Sequence, residues 1–289
     1  MGTPSTDIPA AFLPASHPAA AGAVAAAMAA GEDRLPDPPE FPCDLIPLPG
    51  GLILDEGLDN ERVVSTVRVR ELNGEDEEAL ARALASGEPY HFLTTLLERG
   101  TVQVGDEPEA STRALLGRLL IGDRDAVLIG IRVATYGNSI KVFNFRCPEC
   151  GNISDIEFEL DDDIEVRKLD NPHDNVFEVT LRNGSVAKVR LPDGNTQVAL
   201  NEGKPTQARR NTIIIQKCVE SITTPDGRER RMIVSPRMAL SLGMADRRTI
   251  LSEITDRQPG PKYTDIKITD MDCGKEVSLA VDLGDLFLA

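Results

Sequence analysis

The spacing of hydrophobic positions changes along the 289-residue chain and divides it into five regions. Residues 1–40 hold mostly Ala and Pro and almost no large apolar side chain, which predicts a flexible arm. Residues 41–137 mix alternating with helical spacing, and residues 138–191 alternate almost throughout. Helical spacing returns over 192–262, and residues 263–289 alternate again. We therefore expect an α+β protein with a helical N-terminal part and an antiparallel β module that carries a helical insertion.

Residues 41–137 are predicted to hold two extended segments followed by helices. The first segment, Leu45 to Gly51, is expected to end in a Gly-Gly turn, and a strand over 63–72 follows it. Helices are then expected over 73–85, 90–98, 115–120 and 124–136. Gly122 is predicted to separate the last two helices, with Asp123 as the N-cap of the final one.

Residues 138–289 supply the strands of the β module and the elements inserted into it. Alternation predicts strands over 140–145, 153–160, 164–169, 176–181 and 186–191. Asn183-Gly184 is a hairpin turn signal between the last two of these. The insertion is expected to contain helices over 209–222, 236–242 and 246–255, the second entered through Ser235-Pro236. Two final strands are predicted over 265–269 and 276–282.

One short segment has the spacing of a metal-binding turn. Cys147-Pro148-Glu149-Cys150-Gly151 lies between the predicted strands 140–145 and 153–160. Two thiolates at this spacing on a tight turn point the same way, so they can bind one tetrahedral zinc ion. The order strand, CPxCG, strand is typical of one knuckle of a zinc ribbon, whose second knuckle supplies two more ligands. The β module is therefore predicted to be zinc-ribbon-like.

The best candidate for the second knuckle is the segment from Asp270 to Gly274, which also lies between two predicted strands and ends in Cys-Gly. Asp270 stands three residues before Cys273, where a complete knuckle has cysteine. Zinc accepts carboxylate oxygen, so one structural zinc ion could bind a Cys3Asp site. Its ligands would be Cys147, Cys150, Cys273 and Asp270. Asp272 or His173 could replace Asp270, and the other interpretation is a degraded ribbon that closes without metal.

The composition of the chain argues against some classes of binding partner and indicates where the chain folds. The chain holds 47 Asp and Glu against 31 Lys and Arg, and its formal charge of −16 argues against binding the nucleic-acid backbone. No apolar run approaches the roughly 20 residues that cross a bilayer, and the N-terminus lacks the pattern of a signal peptide. Five cysteines in such a chain indicate metal ligands and core thiols such as Cys218, and folding in a reducing cytoplasm.

Nothing in the sequence indicates an enzyme. The three histidines, His17, His91 and His173, lie in the arm, near a helix start and in a predicted loop. The sequence contains no GxSxG, HExxH, Walker or dinucleotide-binding pattern. The acidic run Asp161-Asp162-Asp163 is interpreted as a solvated turn rather than a cation site. We therefore predict that the protein is not an enzyme.

A set of motifs in a fixed order resembles one protein family. They are Leu48-Pro49-Gly50-Gly51-Leu52, the strand and acidic helix over 67–85, the stretch from Leu120 to Gly137, the stretch from Phe145 to Gly151, and Cys273-Gly274 with Leu286-Phe287-Leu288 near the end. They span most of residues 45–289. In this combination the sequence resembles the T-even-type baseplate hub assembly proteins of contractile-tailed bacteriophages. The long Ala/Pro arm and Asp270 depart from the family pattern.

The resemblance implies an assembly factor or minor structural protein of the tail-tube hub and baseplate, acting through protein–protein contacts without catalysis. Its partners would be other phage tail and baseplate hub proteins, with no nucleic acid and no membrane. It would act in the host cytoplasm during assembly and could remain in the virion as part of the tail baseplate. The residues alone leave one alternative, a zinc-ribbon adaptor of a transcription or translation complex.

Overall fold

A computed structural model describes residues 43–87, 89–232, 237–270, 272–281, 283 and 285–287. The predicted arm of residues 1–40 and the predicted helix entry at Ser235-Pro236 lie outside the described residues. The division of the chain into five regions stays a prediction.

The described residues form thirteen strands and eight α-helices. The strands are β1 (Cys43–Leu54), β2 (Arg62–Arg70), β3 (Thr101–Val104), β4 (Ser139–Arg146), β5 (Ile153–Glu159), β6 (Val166–Arg167), β7 (Val176–Thr180), β8 (Val186–Arg190), β9 (Val219–Thr223), β10 (Glu229–Arg231), β11 (Gly260–Pro261), β12 (Ile266–Thr269) and β13 (Glu276–Leu279). The helices are α1 (Gly74–Ala85), α2 (Pro89–Gly100), α3 (Thr112–Arg118), α4 (Ile121–Tyr136), α5 (Gly194–Asn201), α6 (Gln207–Cys218), α7 (Met238–Ser241) and α8 (Met244–Arg257). Short 3-10 turns cover Glu109–Ser111, Pro172–Asn175 and Asp285–Phe287.

All strand pairs within the described ranges are antiparallel, which confirms the predicted α+β class. One sheet has the order β1-β2-β3, and a second has the order β10-β9-β8-β7. Three further pairs are two-stranded ribbons: β4-β5, β12-β13 and β11-β6. The hairpin predicted at Asn183-Gly184 joins β7 to β8, and the Asn183 side chain accepts the Ser185 N–H at 3.0 Å.

The first hydrophobic core joins distant parts of the chain. The N-terminal sheet packs with α2, α3 and α4 around side chains such as Val67, Leu96 and Ile131. The same core takes in Phe158 of β5 and Ile266 of β12. The ribbons β4-β5 and β12-β13 are therefore fixed to one core, although more than 100 residues separate them in sequence. This confirms the expectation that the last strands return beside the first ones.

The second core lies between the sheet β10-β9-β8-β7 and the helices α6 and α8. Alternate residues of β8, Ala187 and Val189, are fully buried against Ile215 of α6 and Ile250 of α8. Cys218, the last residue of α6, is also buried in this core, as predicted for a core thiol.

Two predicted element ends are wrong. The extended segment beginning at Leu45 does not end at Gly51, because β1 continues to Leu54 and the register to β2 shifts between Pro47 and Leu52, a bulge. The helix predicted over 209–222 ends at Cys218, and the next residues form β9 instead. Pairing with β8 and burial in the second core override the helical spacing there. Residues 192–262, predicted to be a helical insertion, thus also contain β9, β10 and β11.

The helix α1 begins as its sequence predicts. The Asn73 side chain accepts the N–H groups of Glu75 and Asp76, and the Asp76 carboxylate accepts the N–H of Asn73 at 3.0 Å. Asp76 is almost fully buried and forms an ion pair with Arg70 of β2 at 2.8 Å. This capping box therefore also joins the helix to the first sheet.

Asp123 is not a helix cap, so that prediction is wrong. The helix α4 begins at Ile121, two residues earlier, and Asp123 is fully buried in its first turn. Asp123 Oδ1 accepts the N–H of Gly50 in β1 at 2.6 Å. The negative side chain is stabilised near the positive end of the helix dipole, and it joins α4 to the N-terminal sheet.

The start of α4 also crosses the backbone before β11 at very short range. A Cβ atom added to Gly122 would lie 1.7 Å from the carbonyl oxygen of Pro259. Any side chain at this position would force the two segments apart. Gly122 is therefore required by packing, rather than acting as the helix break that the sequence predicted.

Burial makes Asp123 a source of pH-dependent stability. Desolvation raises the pKa of Asp123 from 3.8 to about 6, and it raises the pKa of its neighbour Asp125 to about 7. The folded protein therefore binds more protons than the unfolded chain between about pH 4 and pH 6 to 7. Each group makes the free energy of unfolding decrease as the pH rises through its window.

We expect Asp123→Asn to remove part of this pH dependence. Asparagine does not ionise, and its Oδ1 can still accept the Gly50 N–H. The variant should match the wild type near pH 4 and be more stable near pH 7, by up to about 3 kcal/mol for a shift of about two pKa units. Urea unfolding at both pH values measures this, with the exposed Asp162→Asn as control. An equal difference between Asp123→Asn and wild type at the two pH values would contradict the prediction.

Candidate metal centre

The first knuckle is the turn that joins β4 to β5. The Cys147 N–H donates to the Asn152 carbonyl at 2.9 Å, and the Gly151 N–H donates to the Cys147 carbonyl at 2.9 Å. Gly151 has a φ of 79°, a conformation that favours glycine over all other residues. These bonds place Cys147 and Cys150 in a closed turn at the end of the ribbon.

The second knuckle joins β12 to β13 and repeats the same bonds at the same spacing. The Asp270 N–H donates to the Lys275 carbonyl at 2.9 Å, and the Gly274 N–H donates to the Asp270 carbonyl at 2.8 Å. Gly274 has a φ of 69°, close to that of Gly151. Asp270 therefore takes the position of Cys147, and Cys273 takes the position of Cys150.

The two knuckles bring the four predicted ligands together. The Sγ atoms of Cys147 and Cys273 are 4.0 Å apart, and the candidate ligand atoms of all four residues lie within 4.8 Å of one another. An ion pair between Lys275 Nζ and Glu149 Oε2 at 2.8 Å also joins the knuckles. Sequence reasoning missed this pair, because nothing in the spacing of two residues so far apart indicates that they meet.

The two oxygens of the Asp270 carboxylate differ in their N–H partners. Its Oδ1 accepts the N–H groups of Asp272 at 2.7 Å and Cys273 at 3.0 Å. Its Oδ2 is buried and meets no N–H or O–H donor among the residues described. Because Asp270 is only 2% exposed, water does not replace that donor readily. A cation between the thiols and Oδ2 would satisfy this oxygen.

The donor set fits zinc better than a hard cation. Three sulfur atoms and one carboxylate oxygen are ligands that zinc accepts, whereas magnesium and calcium prefer oxygen alone. Zinc–sulfur bonds of about 2.3 Å in a tetrahedron separate the sulfur atoms by about 3.8 Å. The 4.0 Å between Cys147 and Cys273 is close to that separation.

The same contacts set the proton balance of the cluster. The side-chain interaction with Asp270 raises the pKa of the Cys147 thiol to about 11, and it holds the pKa of Asp270 below its ordinary value. Cys147 therefore keeps its proton at neutral pH when no cation is bound. Since metal binding requires the thiolate, zinc would displace this proton.

The two alternative ligands lie outside the cluster. The Asp272 side chain is exposed and is not among the grouped donor atoms, although its N–H supports Asp270. His173 belongs to the 3-10 turn that contacts β1, and its Nε2 lies 3.0 Å from Glu61 Oε1. Of the candidates considered from the sequence, Asp270 is the one that the structure places beside the three cysteines.

Comparison with known families agrees with the motifs found in the sequence. A family model described as T4 bacteriophage base plate protein matches residues 58–287, well over half of the chain. The chain belongs to this base plate protein family. No curated protein and no solved structure matches the chain significantly, so the assignment rests on the family match.

Membership in the base plate family confirms the resemblance to phage baseplate proteins that the sequence motifs indicated. It gives the protein a structural role in the phage baseplate, with other baseplate components as its partners and the virion tail as its location. No helix among the residues that the structure describes is long and apolar enough to cross a membrane.

The matched range contains both knuckles of this base plate protein and the whole of α4. It begins after the motif Leu48 to Leu52, which was part of the original resemblance. The structure nevertheless joins that motif to the matched range, because Gly50 donates to Asp123.

Burial predicts an order of thiol reactivity in this base plate protein. After removal of any metal by a chelator, the exposed Cys150 should be alkylated at least about tenfold faster than Cys147, which is 1% exposed. Cys218 provides the slow reference, because burial raises its pKa to about 12. Peptide mass spectrometry over a time course of alkylation measures the rates. Equal rates at Cys147 and Cys150 in the folded protein would contradict the described geometry.

Proposed function

We propose that this chain is a non-catalytic assembly factor or minor structural protein of the baseplate hub, and that it acts through protein–protein contacts. The family match over residues 58–287 carries the proposal, because it places the chain among baseplate proteins. The partners would be other hub and tail proteins. The protein would work in the host cytoplasm while the baseplate is assembled.

The composition of the cysteine cluster supports a structural rather than a catalytic role. Catalytic zinc sites keep one position open for water or substrate, whereas structural sites use four protein ligands. Here the chain supplies four donors at two matching turns. The histidines of the described residues also have side-chain partners, since His91 contacts Tyr90 and His173 contacts Glu61.

Within this role, Cys147, Cys150, Cys273 and Asp270 would hold one structural zinc ion as a clasp between the two ribbons. Two observations support this: the buried Oδ2 of Asp270 meets no N–H or O–H donor among the described residues, and the sulfur atoms of Cys147 and Cys273 are 4.0 Å apart. The clasp would join segments 126 residues apart, and a link that closes a long loop removes much chain entropy from the unfolded state. The alternative of a zinc-ribbon adaptor for transcription or translation gains no support from the family or from the charge of −16.

Zinc content tests the clasp directly. Protein purified without chelator should contain about one zinc per chain, and Cys273→Ser should reduce this below about 0.2 per chain. Cys43→Ser, at an exposed cysteine outside the cluster, should retain the metal. Asp270→Cys completes the second knuckle and should retain zinc at higher chelator concentrations than the wild type. Elemental analysis and chelator titration give these values, and zinc-free wild-type protein would reject the clasp.

Deletion of the gene tests the assembly role separately. We expect infected cells to accumulate tail or baseplate intermediates that lack a completed hub, because the missing contacts belong to assembly rather than to chemistry. Electron microscopy of the lysate and infectious titre measure this, with the wild-type gene supplied in trans as control. Normal infectious particles from the deletion would show that the proposed role is incorrect.

A further inference from the structure

Charge is distributed unevenly along this acidic chain. Residues 192–262 hold twelve Lys and Arg against eight Asp and Glu, although the whole chain holds 31 against 47. The basic stretch includes α6, α7 and α8, which pack on the second core. The rest of the chain therefore has a large excess of negative charge, whereas residues 192–262 carry a net positive charge.

The basic side has a projecting apolar residue at the start of α8. Met244 is 84% exposed, the largest exposure among the large apolar side chains described, and Leu240 of the adjacent α7 is 65% exposed. Arg248 lies one turn after Met244 on the same helix face and forms no ion pair with any described residue. Arg182 lines the same surface as Met244 and Arg248, where three arginines stand against one aspartate, Asp256. We name Met244, Leu240, Arg248 and Arg182 the α8 knob.

The acidic side has an open apolar groove between α1, the end of α4 and the C-terminal 3-10 turn. Its apolar lining includes Leu80, Leu84, Tyr136 and Phe287, of which Leu84 is 48% and Tyr136 61% exposed. The carboxylates of Glu71 and Glu77 line the same groove, and neither has an ion-pair partner in the described part of the chain. We name these six residues the α1 groove.

We propose that copies of this chain associate head to tail, with the α8 knob of one copy bound in the α1 groove of the next. The two surfaces match in both respects that matter for binding. Each surface exposes apolar side chains to water, which is unfavourable. The knob carries unpaired positive charge and the groove carries unpaired negative charge. Met244 would enter the groove beside Leu84, and Arg248 would approach Glu77.

A second copy is the occupant that the charges favour. The knob lies at the start of α8, a helix of the second core, and the groove is lined partly by Leu80 and Phe287 of the first, so every chain presents both halves of the contact. A contact between two different patches is heterologous, and it produces a ring or an open filament rather than a closed pair. The contact uses none of the four cluster residues, so it is independent of the proposed clasp.

Two substitutions at exposed positions each alter one of the two surfaces, the knob or the groove, without disturbing a core. Met244→Asp places a negative charge in the knob, at the first position of α8 where a carboxylate suits the helix dipole. Leu84→Ser removes apolar surface from the groove. Leu58→Ser is the matched control, since Leu58 is 61% exposed and belongs to neither surface.

Sedimentation velocity over a range of protein concentrations at low salt tests the contact. Wild type and Leu58→Ser should form species larger than the 31.3 kDa chain, and high salt should weaken them. Each knob or groove variant alone should associate at least about tenfold more weakly. An equimolar mixture of Met244→Asp and Leu84→Ser retains one intact knob and one intact groove. This mixture should form a species of two chains and nothing larger.

Three results would overturn the proposal. The first is a wild-type protein that keeps the mass of one chain at all concentrations in low salt. The second is a mixture of the two variants that stays monomeric, which would indicate a self-complementary contact. The third is self-association that neither substitution changes. In each case the baseplate role could still stand, because gene deletion tests that role separately.

Discussion

The start of α4 is the junction on which the two cores depend. Two adjacent residues at this point belong to different cores: Leu119 is buried in the first core and Leu120 in the second. The Asp123 carboxylate holds β1 through the Gly50 N–H, and Gly122 lets the backbone at Pro259 approach closely. The N–H of Ile121 and the N–H of Gly194 add two backbone bonds to the segment before α5. A small cluster of backbone and carboxylate contacts thus fixes the second core against the first, at the cost of a buried carboxylate that ionises above its ordinary pH range.

The paired knuckles bear on the stability of the two ribbons. Two-stranded ribbons are marginally stable in water, and both β4-β5 and β12-β13 have only two strands. Each ribbon has one side chain fully buried in the first core, Phe158 or Ile266, and others packed against it, namely Ile140 and Val142 of β4 and Ile268 and Leu279 of β12 and β13. Among the described residues, the turns at the other ends are joined by the cluster of Cys147, Cys150, Cys273 and Asp270 and by the outer ion pair Lys275–Glu149. An exposed ion pair contributes little, so a metal ion would supply most of the cohesion there.

Local features of this protein could be predicted from sequence because short-range physics sets them. The helix α1 with its acidic first turn, the hairpin at Asn183-Gly184 and the equivalence of Asp270 with Cys147 all follow from spacing within a few residues. The failures depend on distant partners. Asp is a common N-cap residue, but Asp123 is buried and accepts the N–H of Gly50 instead. Val219 fits the helical spacing, but it forms a strand because it pairs with β8. The grouping of the four cluster residues could be predicted only because a ribbon has two knuckles of known form.

The candidate metal cluster and the basic stretch are associated with different cores, and this separation suits a protein of the baseplate. The cluster belongs to ribbons fixed on the first core, and its four candidate donor atoms lie within 4.8 Å of one another. The stretch 192–262, whose helices α6 and α8 pack on the second core, holds more Lys and Arg than Asp and Glu in an otherwise acidic chain. Substitutions of the four cluster residues should therefore loosen the ribbons without altering the basic stretch, and substitutions in that stretch should leave the cluster intact, since sites without shared partners act independently. A structural protein gains from this separation, because its fold can be stabilised in one place while its contacts are adjusted in another.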